Sequence, residues 1–287
     1  MCDPRDDVVI TKRQGPILTV TMNRPKVLNV LDEAMADGLV AAFSGLATDE
    51  TVRAVILAGA GRSFMAGGDL ARFQTNLSGA PETATQLIDR FHTLMRLIKT
   101  IPQPVIAAVQ GPVAGGGVGL AFACDLVVAA QDATFLSAYT KLGTSPDGGA
   151  SWTLTQLLGP RRALAFILFN EVLDATSALQ LGLVNSVVPG VELAQTALAL
   201  AECLSLGSFG ATKAAKDLVR AATTLAFDEH LDLEKQAFVS NAGSADFREG
   251  ITAFFERRPP RYGSCSDTNA PGLRPVAVQS RSSAEGA

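Results

Sequence analysis

Two glycine turns in this chain could each aim backbone N–H groups at a single oxygen. The first is Ser63-Phe-Met-Ala66-Gly67-Gly68-Asp69-Leu70, and the second is Pro112-Val-Ala-Gly115-Gly116-Gly117. Glycine permits positive φ angles and a close approach by a ligand. A helix that starts at such a turn adds unpaired amides and positive potential. Two amides converging on one oxygen would stabilise it as it becomes negative, at about 2.7–4 kcal/mol per donor in acyl-transfer sites. Either turn alone is also a plain tight connection that needs glycine. Gly115–Gly119 is not a dinucleotide fingerprint, because Leu120 stands where the last glycine of G-x-G-x-x-G belongs.

Acid–base groups near these turns are few. Asp147 lies in Leu142-Gly-Thr-Ser-Pro146-Asp147-Gly148-Gly149 and could move a proton. Pro-Asp-Gly-Gly is also an ordinary turn sequence in which Asp bonds locally. His92 lies on an apolar helical stretch, with Ile88 and Met95 at i−4 and i+3, so it either lines the core or activates water. His230, the other of the two histidines, has no nucleophile pattern beside it. A Ser–His nucleophile at Ser63 or Ser137 is not expected. Phe73, Tyr139 and Trp152 are candidates for an acyl pocket and equally for core aromatics.

The chain has 287 residues, a net charge of −4, 47% hydrophobic and 18% charged residues. That length accommodates one large core with an appendage. The acidic balance excludes a general nucleic-acid binder. Four cysteines without CxxC spacing or a histidine partner indicate neither zinc nor a disulfide framework. The charged start is unlike a signal peptide, and glycines and Asp125 break the longest apolar stretch, so no membrane span is expected. A reducing, cytoplasmic setting follows as the expectation.

The elements that must position these residues alternate. Strands are expected at Val8–Thr11, Ile17–Met22, Val52–Ala58, Val105–Gln110, Asp125–Ala130, Thr134–Leu136 and Val184–Val188. Helices are expected from Leu31, at Glu82–Thr100, after the triple glycine, at Ser151–Leu158, Arg161–Phe169 and Ser177–Leu181. From Glu192 the pattern is helical: Leu193–Leu206, Thr212–Ala222, Asp228–Ser240 and Asp246–Phe255. Residues 263–287 read as a disordered tail.

Segments spread along residues 8–262 agree with one family. They are Asn23-Arg-Pro-Lys26, Phe64-Met-Ala-Gly-Gly-Asp69, Pro104-Val-Ile-Ala-Ala-Val109-Gln-Gly111, Ala114-Gly-Gly-Gly117, Ala123-Cys-Asp125, Gly182-Leu-Val184 and Asp246-Phe-Arg-Glu-Gly250. The chain resembles the enoyl-CoA hydratase/isomerase (crotonase) superfamily. That resemblance implies an α/β spiral of ββα repeats over residues 1–190, with a helical oligomerisation region at 191–262 that builds trimers, often paired into hexamers. It implies an acyl-CoA thioester substrate and no cofactor beyond its CoA moiety. Gly68 and Gly116 would hold the thioester oxygen, Ala66 would contact the adenine through its backbone, Gly67 and Gly68 would border the CoA, and Lys26 would meet its phosphates. Family hydratases carry two glutamates where this chain has Gly119 and Tyr139. Isomerases of the family place one carboxylate at the position of Asp147, which favours a double-bond shift. A dehalogenase branch pairs a nucleophilic Asp matching Asp147 with a His matching His92, and that route stays open beside slow hydration and a non-catalytic CoA binder.

Overall fold

Strand β1 (Val9–Gln14) turns at Gly15 and pairs antiparallel with β2 (Ile17–Met22), Val9 opposite Met22. Asp32 then opens helix α1 (Glu33–Ser44), its carboxylate accepting from the Met35 amide at 2.9 Å. Strand β3 (Ala54–Gly59) is followed by a short helix α2 (Leu70–Thr75) and the long α3 (Ala80–Thr100). On α3, Leu87, Phe91, Leu94 and Ile98 recur on one face and are buried. Strands β4 (Val105–Val109) and β5 (Pro112–Ala114) lead into α4 (Gly116–Ala123), whose eight residues are all buried. Next come β6 (Leu126–Ala130), β7 (Thr134–Leu136) and α5 (Ala150–Phe169), which breaks at Gly159 just ahead of Pro160. Then follow β8 (Leu173–Asp174), α6 (Ala175–Gln180), β9 (Ser186–Val188), α7 (Leu193–Ser205), α8 (Phe209–Ala221), α9 (Phe227–Ala242) and α10 (Ala245–Glu256). This computed structural model describes residues 7–263, so the tail expected from 263 onward lies outside the described residues but for Gly263.

The main sheet has the order β1-β2-β3-β4-β6-β9 and is parallel from β2 onward. Both of its faces are covered, which is why β4 reads Val-Ile-Ala-Ala-Val without a polar residue. On one side lie α1, α3 and α4 with the largest buried side chains, among them Phe43, Phe64, Phe91 and Phe135. On the other, Leu193, Ala197 and Ala201 of α7 cover Ile56, Ile106 and Val128. A second sheet joins β5, β7 and β8.

Helix α8 is tied to this body by charge. Lys216 and Arg220, one turn apart, meet the two oxygens of Asp125 at 2.8 and 2.7 Å. The same two side chains donate to the carbonyls of Gln103, Lys99 and Ile98, where α3 ends. Helices α8–α10 otherwise expose large apolar side chains, including Phe227, Phe238, Phe254 and Phe255.

Sequence periodicity anticipated the strands of the main sheet and the longer helices. It did not anticipate α2, β5 or β8, which are six, three and two residues long. Elements that short carry too few residues for a period to show.

Candidate active site

The first glycine turn is bonded to β5 through Met65, whose carbonyl accepts the Ala114 amide at 3.0 Å, and to Leu31 on its other side. Leu31 donates to the Gly67 carbonyl at 2.8 Å, and its own carbonyl accepts from the Asp69 amide at 2.9 Å. In a parallel bridge these bonds leave the intervening Gly68 N–H facing away from Leu31, and Gly68 borders a cavity. Gly67 reaches this shape with a φ of 95°, and a side chain on it would stand 3.2 Å from the Ala114 carbonyl. The second turn lies directly against the first. Gly115 donates to the Leu136 carbonyl and takes a φ of 52°, so α4 begins at Gly116 with its first amides unpaired in the backbone network of the described residues. Gly68 and Gly116 both border the same cavity.

That cavity has a volume of about 1030 Å³ and predominantly apolar walls. It is at the upper end of the usual range for small-molecule sites. Phe73 and Leu77, Leu87 and Ile88 from α3, and Tyr139, Leu142 and Asp147 line it. Ala66, Gly67 and His92 also reach it.

Asp147 stands in the turn before α5, where its carbonyl accepts from the Ala150 amide at 2.9 Å. The two glycines after it take φ values of 55° and 74°. Tyr139 donates its hydroxyl to Oδ1 of Asp147 at 2.6 Å. Burial first, and then the charge of Asp147, hold the Tyr139 phenol far above the ordinary tyrosine range, so it keeps its proton. His92 accepts the Gly148 amide on Nε2 at 3.3 Å. That nitrogen is thus engaged by the loop that carries Asp147.

Two of the sequence-selected residues stand elsewhere. Trp152 was expected to line the acyl pocket; it lies on α5, half-exposed, with the Lys99 ammonium 5.8 Å from its ring. It points away because α5 turns its other face, with Thr153 and Leu154, to the core. Lys26 is exposed on the turn after β2 and does not border the cavity. Among nucleophiles, Ser63 donates its hydroxyl to the Pro112 carbonyl, and Ser137 is buried outside the cavity. Burial pushes the Cys124 thiol up to about 12, which leaves it inert. Among the described residues no group of three His, Cys, Asp or Glu could hold a metal, and no helix is long and apolar enough to cross a membrane.

Sequence reasoning missed the residues that hold the first turn. Arg24 bonds the Val30 carbonyl at 2.8 Å and pairs with Asp32 and Asp69 at 3.0 and 3.2 Å. Asn29, fully buried with a φ of 54°, donates to the carbonyls of Ala60, Ser63 and Phe64. Asp69 in turn caps α2. A buried asparagine at positive φ leaves no periodic trace, and only its polar type beside Asn23-Arg24-Pro25 marks the segment.

The family model for enoyl-CoA hydratase/isomerase matches residues 12–265. The chain belongs to this family. A 1,2-epoxyphenylacetyl-CoA isomerase of Escherichia coli (strain K12) is 35% identical to it, over 89% of this chain and 98% of the relative. A protein named probable enoyl-CoA hydratase from Rhodobacter capsulatus is 37% identical, over 86% of this chain and 94% of its own length. The crystal structure of an enoyl-CoA hydratase from Polaromonas sp. JS666 superimposes with a TM-score of 0.86 at 35% identity, covering 89% and 99% of the two chains. The fold is therefore the crotonase fold, and the protein is an acyl-CoA-processing enzyme of the enoyl-CoA hydratase/isomerase family.

At Gly119, where the hydratase resemblance calls for a glutamate, a Cβ would meet the Gly148 carbonyl and the Ala150 methyl at 3.4 Å. A side chain at this position would therefore lie in contact with the turn that carries Asp147.

Proposed function

We propose that the protein shifts a double bond in an enoyl-CoA, using Asp147 as a single proton shuttle. The observation that carries this reading is the composition of the cavity wall: among the described residues Asp147 is the one carboxylate that borders it, and Gly68 and Gly116 border the same cavity. On a 3-enoyl-CoA, the Asp147 carboxylate takes a proton from the carbon next to the thioester. The electron pair of that C–H bond moves into the thioester, and negative charge collects on its oxygen, where Gly68 and Gly116 donate. The conjugated enolate then takes the proton back two carbons further on, which leaves the double bond next to the thioester. Atoms balance without water, and the reading calls for no cofactor beyond the CoA moiety of the substrate.

Hydration is the competing reading, since relatives carry both names. Adding water in one step uses two carboxylates, one to activate the water and one to protonate carbon. By the family resemblance, those two groups would stand at Gly119 and Tyr139, and neither residue is a carboxylate. The test is to give the enzyme 3-enoyl-CoA and 2-enoyl-CoA separately and quantify the products. Conversion of the first at a rate well above hydration of the second supports the isomerase; dominant formation of 3-hydroxyacyl-CoA overturns it.

Lys26, on the exposed turn after β2, belongs to this reading as a contact for the CoA phosphates, with the Ala66 backbone at the adenine and Gly67 beside the CoA. The exposed aromatic face of α9 and α10 supports assembly into a homotrimer or hexamer. Sedimentation at micromolar concentration tests that, and a monomer would contradict it. The free thiols of Cys124 and Cys203 suit a cytoplasmic setting.

A further inference from the structure

Asp147 has a partner that no assigned role explains. Its Oδ1 takes the Tyr139 hydroxyl at 2.6 Å, and no other hydrogen bond reaches the carboxylate among the described residues. The backbone around it is fixed separately, by Ala150 on its carbonyl and by His92 on the following amide. The side chain alone would still rotate, and glycines on its C-terminal side give it no neighbour to lean on. Tyr139 supplies that restraint from a rigid base. Its carbonyl accepts the amides of Leu142 and Thr144 at 2.9 and 3.2 Å, and the Thr140 hydroxyl donates to the Ile167 carbonyl at the end of α5. The ring itself is only 7% exposed.

We propose that Tyr139 is a positioning residue: its hydroxyl holds Oδ1 of Asp147 and leaves Oδ2 as the oxygen that carries the proton between the two substrate carbons. This role rests on the proton-shuttle reading of the site. A shuttle needs the same oxygen to reach two carbons in succession, so a carboxylate free to rotate would lose the second transfer. Because the phenol keeps its proton, it serves as a donor throughout and never competes for the substrate proton. The same hydroxyl marks the difference from a two-carboxylate hydratase site: a donor stands where a second base would be needed.

Two measurements on the intact protein test this. The first compares Tyr139→Phe with wild type on 3-enoyl-CoA; the change keeps the ring and removes only the hydroxyl. The expected result is a kcat lower by about 10- to 100-fold with KM altered by less than about threefold. An unchanged kcat overturns the proposal, and so does a loss confined to KM. The second does not depend on turnover. The chain has two tyrosines, so Tyr262→Phe isolates Tyr139 for an alkaline titration of tyrosinate absorbance. Adding Asp147→Asn should bring the Tyr139 transition to lower pH, because the neighbouring negative charge is gone. No movement would mean that the hydroxyl and carboxylate are not paired, and the proposal falls. If wild type fails to isomerise while the transition still moves, the isomerase reading falls and the Tyr139–Asp147 pair stands.

Discussion

The Gly148 amide donates to Nε2 of His92 at 3.3 Å, which ties the loop carrying Asp147 to the middle of helix α3. His92 thus holds the loop in place. His92→Ala should lower isomerisation by roughly 10-fold through a misplaced Asp147. It should trap no ester. A single turnover of wild type in heavy-oxygen water, followed by mass analysis of the peptide with Asp147, checks this: heavy oxygen entering the carboxylate would favour the nucleophilic route with His92 as base.

Gly148 is a second constraint on the same loop. Its φ is 55°, and a Cβ there would stand 2.2 Å from Cε1 of the fully packed Phe91 ring. Gly148→Ala should therefore cost about 2–4 kcal/mol by combining backbone strain with overpacking. Thermal unfolding checks the stability, and activity should fall further than unfolding alone explains. An alanine variant with wild-type melting and activity would show that the loop can move away from Phe91.

The C-terminal helices depend on Asp125. Its oxygens meet Lys216 and Arg220 and also accept the Val105 amide at 2.8 Å, while the Lys216 side chain is only 7% exposed. Burial, the largest influence, draws the Lys216 ammonium below its ordinary range, and Asp125 opposes that effect. Asp125→Asn leaves a buried cation without its counter-charge, at a cost of about 3–5 kcal/mol. Adding Lys216→Met should recover part of the loss in denaturant unfolding. No loss in the single variant would contradict a clamp built on charge.

Glu249 predicts an acid response in the segment after α10. Arg258 forks onto its two oxygens at 2.6 and 3.0 Å, and the Arg261 amide donates at 2.8 Å; these bonds, the Arg258 one foremost, lower the carboxyl from 4.5 to about 2. A carboxyl depressed by folding stabilises fully above its unfolded value and loses that contribution as pH falls through the folded one. Amide exchange at Arg261 should thus stay protected at pH 5 and rise as pH falls from about 4.5 towards 2. The pair is surface-accessible, so added salt should weaken the protection. Equal exchange in Glu249→Gln at pH 6 would remove the basis of this expectation.

Much of the architecture is visible in the chain because its elements have strong periods. Met35, Leu39 and Phe43 mark α1, and the unbroken Val105–Val109 run marks a strand covered on both faces. The glycine turns were legible too, since Gly67 and Gly115 have backbone shapes that other residues rarely take. What escaped were contacts between distant positions. Nothing in the spacing couples Tyr139 to Asp147 or His92 to Gly148, 56 residues apart. Trp152 misled because an aromatic near a site residue says nothing about which face of α5 it occupies; here it lies beneath Lys99, away from the cavity.

The most direct test of the single-carboxylate shuttle follows 3-enoyl-CoA in deuterated water, with wild type beside Asp147→Asn. Wild type should form the conjugated 2-enoyl-CoA and retain part of the original hydrogen, since one carboxylate carries it between carbons faster than it exchanges with solvent. Asp147→Asn should bind acyl-CoA yet lose conversion by about 100-fold or more, the scale of a lost general base. Conversion that survives in Asp147→Asn would contradict the account, because a base other than Asp147 would then be moving the proton.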